Sequence, residues 1–182
     1  EGADDLKEGL NTIENRSKGL IKFIDAYREY TSLPNPKLKT IRLKSLIEKV
    51  AMLMRQEMKN YRVDFHYECN SEYLTIQADE EMIEQVLINL LKNSAEAVAQ
   101  VENPRIDLIG RYDGSHIKIE VTDNGTGIIP EAIERIFVPF YTTKKTGSGI
   151  GLSLSRQIMQ LHNGSLTVES EPDVKTTFTM RF

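Results

Sequence analysis

Asp123-Asn124-Gly125-Thr126-Gly127 follows an apolar alternation at Ile117, Ile119 and Val121, and Lys144-Lys145-Thr146-Gly147-Ser148-Gly149-Ile150-Gly151 leads into a run with helical spacing. Taken separately, both have plain readings. Asp, Asn and Gly all favour turns, so the first stretch can simply end a strand. The second can be a flexible loop with solvated lysines. Each also has a chemical reading, and neither stretch alone decides between the two. A carboxylate at a strand end accepts a hydrogen bond from an exocyclic amine such as that of adenine. It repels the carbonyl oxygen that guanine presents at the same edge. Gly125 and Gly127 let the backbone pass close to a flat base. Glycines before a helix leave backbone N–H groups bare, the helix dipole favours an anion there, and Lys144 and Lys145 add charge. The G-x-G-x-G spacing fits neither the P-loop nor the glycine-rich loop of eukaryotic kinases, and His-Arg-Asp and Asp-Phe-Gly do not occur.

Two further candidates lie on either side of the first stretch. From Asp79, a good N-cap, to about Ala99 the spacing is helical, with Ile83, Leu87, Leu90, Leu91 and Val98 on one apolar arc. Asn89 and Asn93, at i and i+4, fall outside that arc on a shared face with Glu96 nearby. Taken alone, a solvated polar face is the favoured reading. Asn is nevertheless a middling helix former, and two on one face beside bulky apolar residues look placed. An amide oxygen is a neutral hard ligand that can complete a Mg2+ shell otherwise made of phosphates and water. Phe137-Val138-Pro139-Phe140-Tyr141-Thr142-Thr143-Lys144 is either a core anchor or the hinge of a lid over a ligand.

The rest of the chain supplies an α+β frame. Leu6, Leu10, Ile13, Leu20, Ile24 and Tyr27 form an a/d seam from about Ala3 to Ser32, with Ser17 at the missing position and Phe23 and Tyr30 on a second stripe. Such a seam packs along a partner helix or against the helix's own domain, and the abrupt stop that follows favours an exposed seam. Leu33-Pro34-Asn35-Pro36 ends it and reads as a linker. Residues 1–36 are therefore a helix and linker, and 37–182 a separate domain. There, Thr40 to Leu43, Val63 to Glu68 and Tyr73 to Gln77 read as strands. Leu46, Ile47, Val50, Leu53, Met54 and Met58 give a helix from Lys44 to Asn60. Ile106 to Arg111 and Ile117 to Val121 make a hairpin around Asp113-Gly114, and a short helix starts at Pro130. A helix from about Gly149 stops at His162-Asn163-Gly164, and strands at Ser165 to Glu169 and Thr176 to Arg181 finish the chain. The sum is a two-layer sandwich: a mixed sheet with helices on one face.

Composition closes off other classes. Over 182 residues, 40% hydrophobic and 27% charged, the chain is neither disordered nor a repeat array. A lone cysteine, Cys69, excludes an internal disulfide and a multi-cysteine zinc site. A net charge of −4 argues against a general nucleic-acid binder. No stretch approaches the roughly 20 apolar residues of a membrane span, and the acidic N-terminus lacks a signal-peptide pattern. The first residue is Glu1, not Met, so an excerpt of a longer protein is expected, in the cytoplasm, from a parent that can itself be anchored in the inner membrane.

The ordered set Asn89/Asn93, Asp123-x-Gly125-x-Gly127, Phe137-x-x-Phe140 and Gly147-x-Gly149-x-Gly151 resembles the N, G1, F and G2 boxes of two-component sensor histidine kinases. These belong to a wider ATPase group with gyrase, the heat-shock chaperone and the mismatch-repair ATPase. The resemblance covers essentially the whole chain. It implies a Bergerat-type ATP-binding fold for residues 37–182, and for residues 3–33 the second helix of a dimerisation and phosphotransfer hairpin. It further implies ATP and Mg2+ as cofactors, with Asp123 reading the adenine amine, Asn93 binding Mg2+ and Asn89 close to the phosphates. A lid over the triphosphate implicates Lys144, Thr146, Gly147, Gly149 and Gly151. The nucleotide-binding set is completed by Gly125, Gly127, Phe137, Thr143, Ser148 and Leu152.

In hydrolysing relatives a Glu stands where this chain has Asn89, and an amide cannot serve as a base. That favours phosphoryl transfer to a protein over water attack. None of His66, His116 and His162 has the expected acceptor context: the first two fall on predicted strands and the third at a helix end. The acceptor helix is thus expected outside this chain, which would bind ATP without phosphorylating itself. The resemblance implies a homodimeric parent and a response-regulator receiver domain as partner, with no nucleic acid and no membrane contact by this segment. Pro172-Asp173-Val174-Lys175 replaces a glycine-rich turn, a departure expected to leave the pocket alone. A non-catalytic nucleotide-sensing module, an anti-sigma-type serine kinase and a hydrolytic ATPase are the competing readings.

Overall fold

Apolar residues at every second position of four neighbouring strands build one buried sheet face. The computed structural model describes residues 2–144 and 147–182, and within the first helix it describes the side chains at positions 10, 12–14, 17–21, 24, 25, 27, 28, 30 and 31. Its elements are α1 (Gly2–Thr31), β1 (Lys39–Arg42), α2 (Leu43–Asn60), β2 (Asp64–Cys69), β3 (Thr75–Ala78), α3 (Glu80–Ala97), β4 (Arg105–Tyr112), β5 (Ile117–Asp123), α4 (Pro130–Ile133), α5 (Gly151–Leu161), β6 (Ser165–Glu171) and β7 (Lys175–Arg181). Five strands order as β2-β4-β5-β7-β6. The β2–β4 pair is parallel and the others antiparallel, so the sheet is mixed.

Ile106 and Leu108 on β4, Ile119 and Val121 on β5, Phe178 and Met180 on β7, and Leu166 on β6 point to one face and are buried. That face is covered by α2, α3 and α5 through Ile47, Val50, Ile83, Leu87, Leu90, Leu91, Ile158 and Met159, forming a single core. Burying aliphatic side chains of this size contributes about 1.5–3 kcal/mol each, which makes this layer the main stabilising element. The other face is polar and ties strand to strand: Arg111 pairs with Glu120 at 2.6 Å, and Thr122 meets Thr177 at 3.0 Å.

The structure departs from the sequence reading in three places. β1 and β3 form their own two-stranded antiparallel ladder, with Ile41 opposite Ile76, instead of joining the large sheet. Leu53, expected on the buried stripe of α2, is 56% exposed, because Leu46, Ile47, Val50, Met54 and Met58 already fill the inward arc. His116 lies in the β4–β5 loop and not on a strand: Asp113 Oδ1 accepts the N–H groups of both Ser115 and His116 and so widens the turn. His162 caps α5, where its Nε2 accepts from the Asp79 N–H at 2.9 Å. Of the α1 seam, Leu10, Ile13, Leu20, Ile24 and Tyr27 are exposed, and the Leu6 and Phe23 side chains lie outside the described residues. Tyr30 and Leu33 pack against the sandwich core. The linker is fastened where the Lys37 N–H donates to Asp79 Oδ2 at 2.8 Å, at the N-cap of α3.

Candidate nucleotide site

One helix, α3, carries both ends of the site. At its C-terminal end Ser94 turns inward and Asp123 meets it from the end of β5. Ser94 is 1% exposed and Asp123 2%. Ser94 Oγ donates to Asp123 Oδ2 at 2.7 Å, and the Gly125 N–H donates to Oδ1 at 3.0 Å. Burial pushes the Asp123 carboxyl above its ordinary range, and these two donors hold it back. A carboxylate has about four lone-pair sites, so acceptor capacity remains after both bonds.

The glycines after Asp123 serve the protein's own packing. A Cβ on Gly125 would lie 2.7 Å from Ala97 Cβ. Gly127 has φ +70°, and a Cβ there would lie 2.7 Å from Pro172 Cα. The close approach they permit is therefore to α3 and to the β6–β7 turn, where the sequence suggested a flat base. The same contact corrects the reading of Pro172-Asp173-Val174-Lys175. That turn packs directly on the Asp123–Gly127 loop, and the Asp173 N–H donates to Thr126 C=O at 3.0 Å.

At the other end Asn89 and Asn93 share the outward face of α3. Asn89 Nδ2 donates to Ser155 Oγ at 3.0 Å, which ties the amide to α5. A Cβ on Gly151, at the start of α5, would collide with the Asn89 amide and push that side chain aside. Lys144 Nζ donates to Asn93 Oδ1 at 2.9 Å and also bonds the Glu96 carboxylate. Asn93 thus already receives a cation in this structure. Its amide oxygen suits Mg2+ completed by phosphate oxygens and water. Among the described residues no group of three His, Cys, Asp or Glu side chains forms a metal cage.

Phe140 has φ +66°, uncommon for a bulky residue, and its N–H donates to Gly149 C=O at 2.9 Å. Gly149, at φ +70°, allows the crossing, since a Cβ there would sit 2.5 Å from Phe140 C. This brings Phe140 and Gly149 together, with Lys144 beside Asn93 and Ser148 beside Asn89. Phe137 is the core anchor of the pair. It is buried, with the Arg156 guanidinium 3.7 Å from its ring centroid. Thr143 is exposed on the loop, and Leu152 is half-buried against the core. Thr146 lies outside the described residues. Between α3 and α5, Gln85, Asn89, Ser148, Gly151 and Ser155 help line a cavity of about 190 Å3.

The structure brings Asn89, Asn93, Lys144, Ser148 and Gly151 to one end and Asp123 with Gly125 to the other. Sequence reading missed Ser94 and Ser155. The signal for Ser94 was a hydroxyl on the apolar arc of α3, at i+7 from Leu87 and i+4 from Leu90, where a buried polar group requires a partner.

Comparison with known proteins places this architecture. Residues 78–182 match the family of histidine kinase-, DNA gyrase B- and HSP90-like ATPases, and the chain belongs to that family. It is 33% identical over 174 residues to the signal transduction histidine-protein kinase AtoS of Escherichia coli K12, covering 96% of this chain and 28% of that protein. It is 33% identical to the sensor histidine kinase ZraS of the same strain over 79% of this chain and 30% of that protein. The catalytic domain of histidine kinase ThkA superposes with a TM-score of 0.72 at 32% identity, covering 80% of this chain and 95% of that one. ThkA crystallised with response regulator protein TrrA gives 0.76 at 29% identity, over 97% of this chain and 51% of that one. The chain spans under a third of the length of the curated relatives it matches. The sandwich has the Bergerat ATP-binding fold, and it is the ATP-binding catalytic domain of a two-component sensor histidine kinase.

Proposed function

We propose that the site holds Mg-ATP along α3, with the adenine amine on Asp123, Mg2+ on Asn93 and the phosphates near Asn89 and the 140–149 loop. The observation that carries this reading is the placement of a buried carboxylate bonded to Ser94 and a cation-accepting amide at the adjacent Asn93, about 100° apart around one helix. Gly147, Gly149, Gly151, Ser148 and Thr143 belong to the phosphate side, Lys144 and Thr146 to the lid, and Gly125, Gly127, Phe137 and Leu152 shape the pocket from behind. Mg2+, when bound, neutralises charge on the phosphate oxygens. Asn89, as an amide, orients the transferred group and takes no proton, so catalysis rests on positioning and electrostatics.

The acceptor is a histidine on a hairpin helix outside this chain, and a response-regulator aspartate receives the phosphoryl group next. The ThkA complex with a response regulator supports that partner class. Residues 1–36 are the remnant of the hairpin: a long helix whose exposed seam at Leu10, Ile13, Leu20, Ile24 and Tyr27 fits a four-helix bundle in a homodimeric parent. Residues 37–182 are the catalytic domain. No helix among the described residues is long and apolar enough to cross a membrane. The domain works in the cytoplasm, beneath the inner membrane when the parent is anchored there.

Incubation with γ-labelled ATP and Mg2+ tests the reading. The chain alone is expected to take up no label and to label a histidine-bearing hairpin helix of its parent supplied separately, in a bond stable to alkali and lost in acid. Steady phosphate release with no labelled protein would instead favour a hydrolytic ATPase.

A further inference from the structure

Ser94 interrupts an otherwise apolar buried arc of α3. A serine inside a helix usually bonds back to the carbonyl four residues earlier or faces water. Here its hydroxyl crosses to Asp123, at 2.7 Å, with both residues buried. A hydroxyl has one proton. Once that proton is committed to Asp123 Oδ2, Ser94 can face a ligand only with lone pairs. Asp123 is acceptor-only while ionised. Burial, the Ser94 hydroxyl and the Gly125 N–H are the influences on its carboxyl, and no titratable or charged side chain among the described residues contributes. Its charge is kept by two neutral donors without help from a cation.

We propose that Ser94 is a specificity-determining residue of this nucleotide site: by donating to Asp123 it keeps the base end an all-acceptor surface, which selects a purine carrying a donor amine over one carrying a carbonyl oxygen. It acts through Asp123 and is a positioning residue. The inference rests on the reading of Asp123 as the adenine contact. A protonated Asp123 would present an O–H and would accept hypoxanthine or guanine as readily as adenine. Removing the Ser94 hydroxyl takes away a donor that lowers the carboxyl's pKa, so protonation begins at higher pH. ATP affinity should therefore fail earlier on acidification, and discrimination should narrow.

The test is calorimetric titration of wild type, Ser94→Ala and Asp123→Asn with Mg-ATP and Mg-ITP between about pH 6 and about pH 8.5. Ala is a better helix former than Ser, and a melting curve checks that the variant is folded. Wild type should prefer ATP, with the preference shrinking as pH falls, an arm that needs no variant. Ser94→Ala should weaken ATP on the order of tenfold, with the loss growing on acidification. It should also narrow the ATP-to-ITP ratio. A wild-type pH profile and ratio in Ser94→Ala, with ATP binding lost in Asp123→Asn, would overturn the role of Ser94 and leave the adenine contact standing. Wild-type ATP affinity in Asp123→Asn would remove the adenine contact itself, and the inference with it.

Discussion

The two ends of the site share a helix and are held in opposite ways. Ser94 and Asn93 are adjacent, but a helix turns about 100° per residue, so one faces the core and the other the loop. At the end proposed for the base, Asp123 is clamped by Ser94 and Gly125, and both the serine and the aspartate are buried. At the phosphate end Lys144 and Glu96 are exposed, and they bridge the loop to α3 by a surface ion pair. Such pairs are worth at most about 1 kcal/mol and are screened by salt. Under the proposed function, the buried end is the one expected to discriminate between bases. The exposed end is the one expected to exchange partners, since Lys144 could leave Asn93 and Glu96 for a polyphosphate at little cost.

The contrast is broken most severely at Asp123. Asp123→Asn should reduce ATP affinity by about 100-fold or more at pH 7.5, as an acceptor is lost where a buried donor must be met. The same change should not lower the melting temperature at that pH. The carboxyl's folded pKa is raised, so its contribution to stability is present below the unfolded pKa and lost as pH rises through the folded one. At neutral pH the ionised group is a burden that Asn lacks. A drop in both quantities would mean Asp123 is structural. Next comes Gly151→Ala, whose Cβ meets Asn89 Oδ1 at 2.3 Å. The amide must swing aside and give up its bond to Ser155, at about 1 kcal/mol, so melting should fall slightly while ATP binding weakens as Asn89 leaves its place.

Asp79→Ala should cost about 1 kcal/mol of stability through loss of the cap, with ATP affinity unchanged. The Asp79 carboxyl is held low, first by the Lys37 N–H, so its contribution is present above the unfolded pKa and fades as pH falls through the depressed folded value. Denaturant titrations of the two proteins should converge in acid. The smallest effect sharpens the comparison. Glu96→Gln frees Lys144 for the phosphates and should raise ATP affinity by no more than about threefold, a gain that high salt erases. A large, salt-insensitive change would show that the phosphate end is as fixed as the base end.

Much of this contrast was legible in the sequence. The helical arc of α3 and the strand alternations of β4, β5 and β7 follow from periodicity, which is local. Asn89, Asn93 and Asp123 stood out only in combination, by their order and spacing with the Phe137 and Gly147 stretches, since each alone read as a polar face or a turn. What the sequence could not carry is contact between distant segments. Ser155 beneath Asn89, Lys144 on Glu96 and Pro172 against Gly127 each join residues separated by more than forty positions. The separate β1–β3 ladder escaped notice for the same reason, since short strands do not announce their partners. Gly125 and Gly127 show a subtler limit: the need for glycine was visible, but not whether ligand or protein supplied the close neighbour.

The most direct measurement is a calorimetric comparison of ATP and GTP, each with Mg2+, on the unmodified chain. Saturable ATP binding without GTP binding is the expected result, and chelating Mg2+ should weaken ATP without abolishing it, because the base end stays intact. Equal affinity for ATP and GTP would contradict the account, since a buried acceptor at Asp123 cannot serve both bases alike.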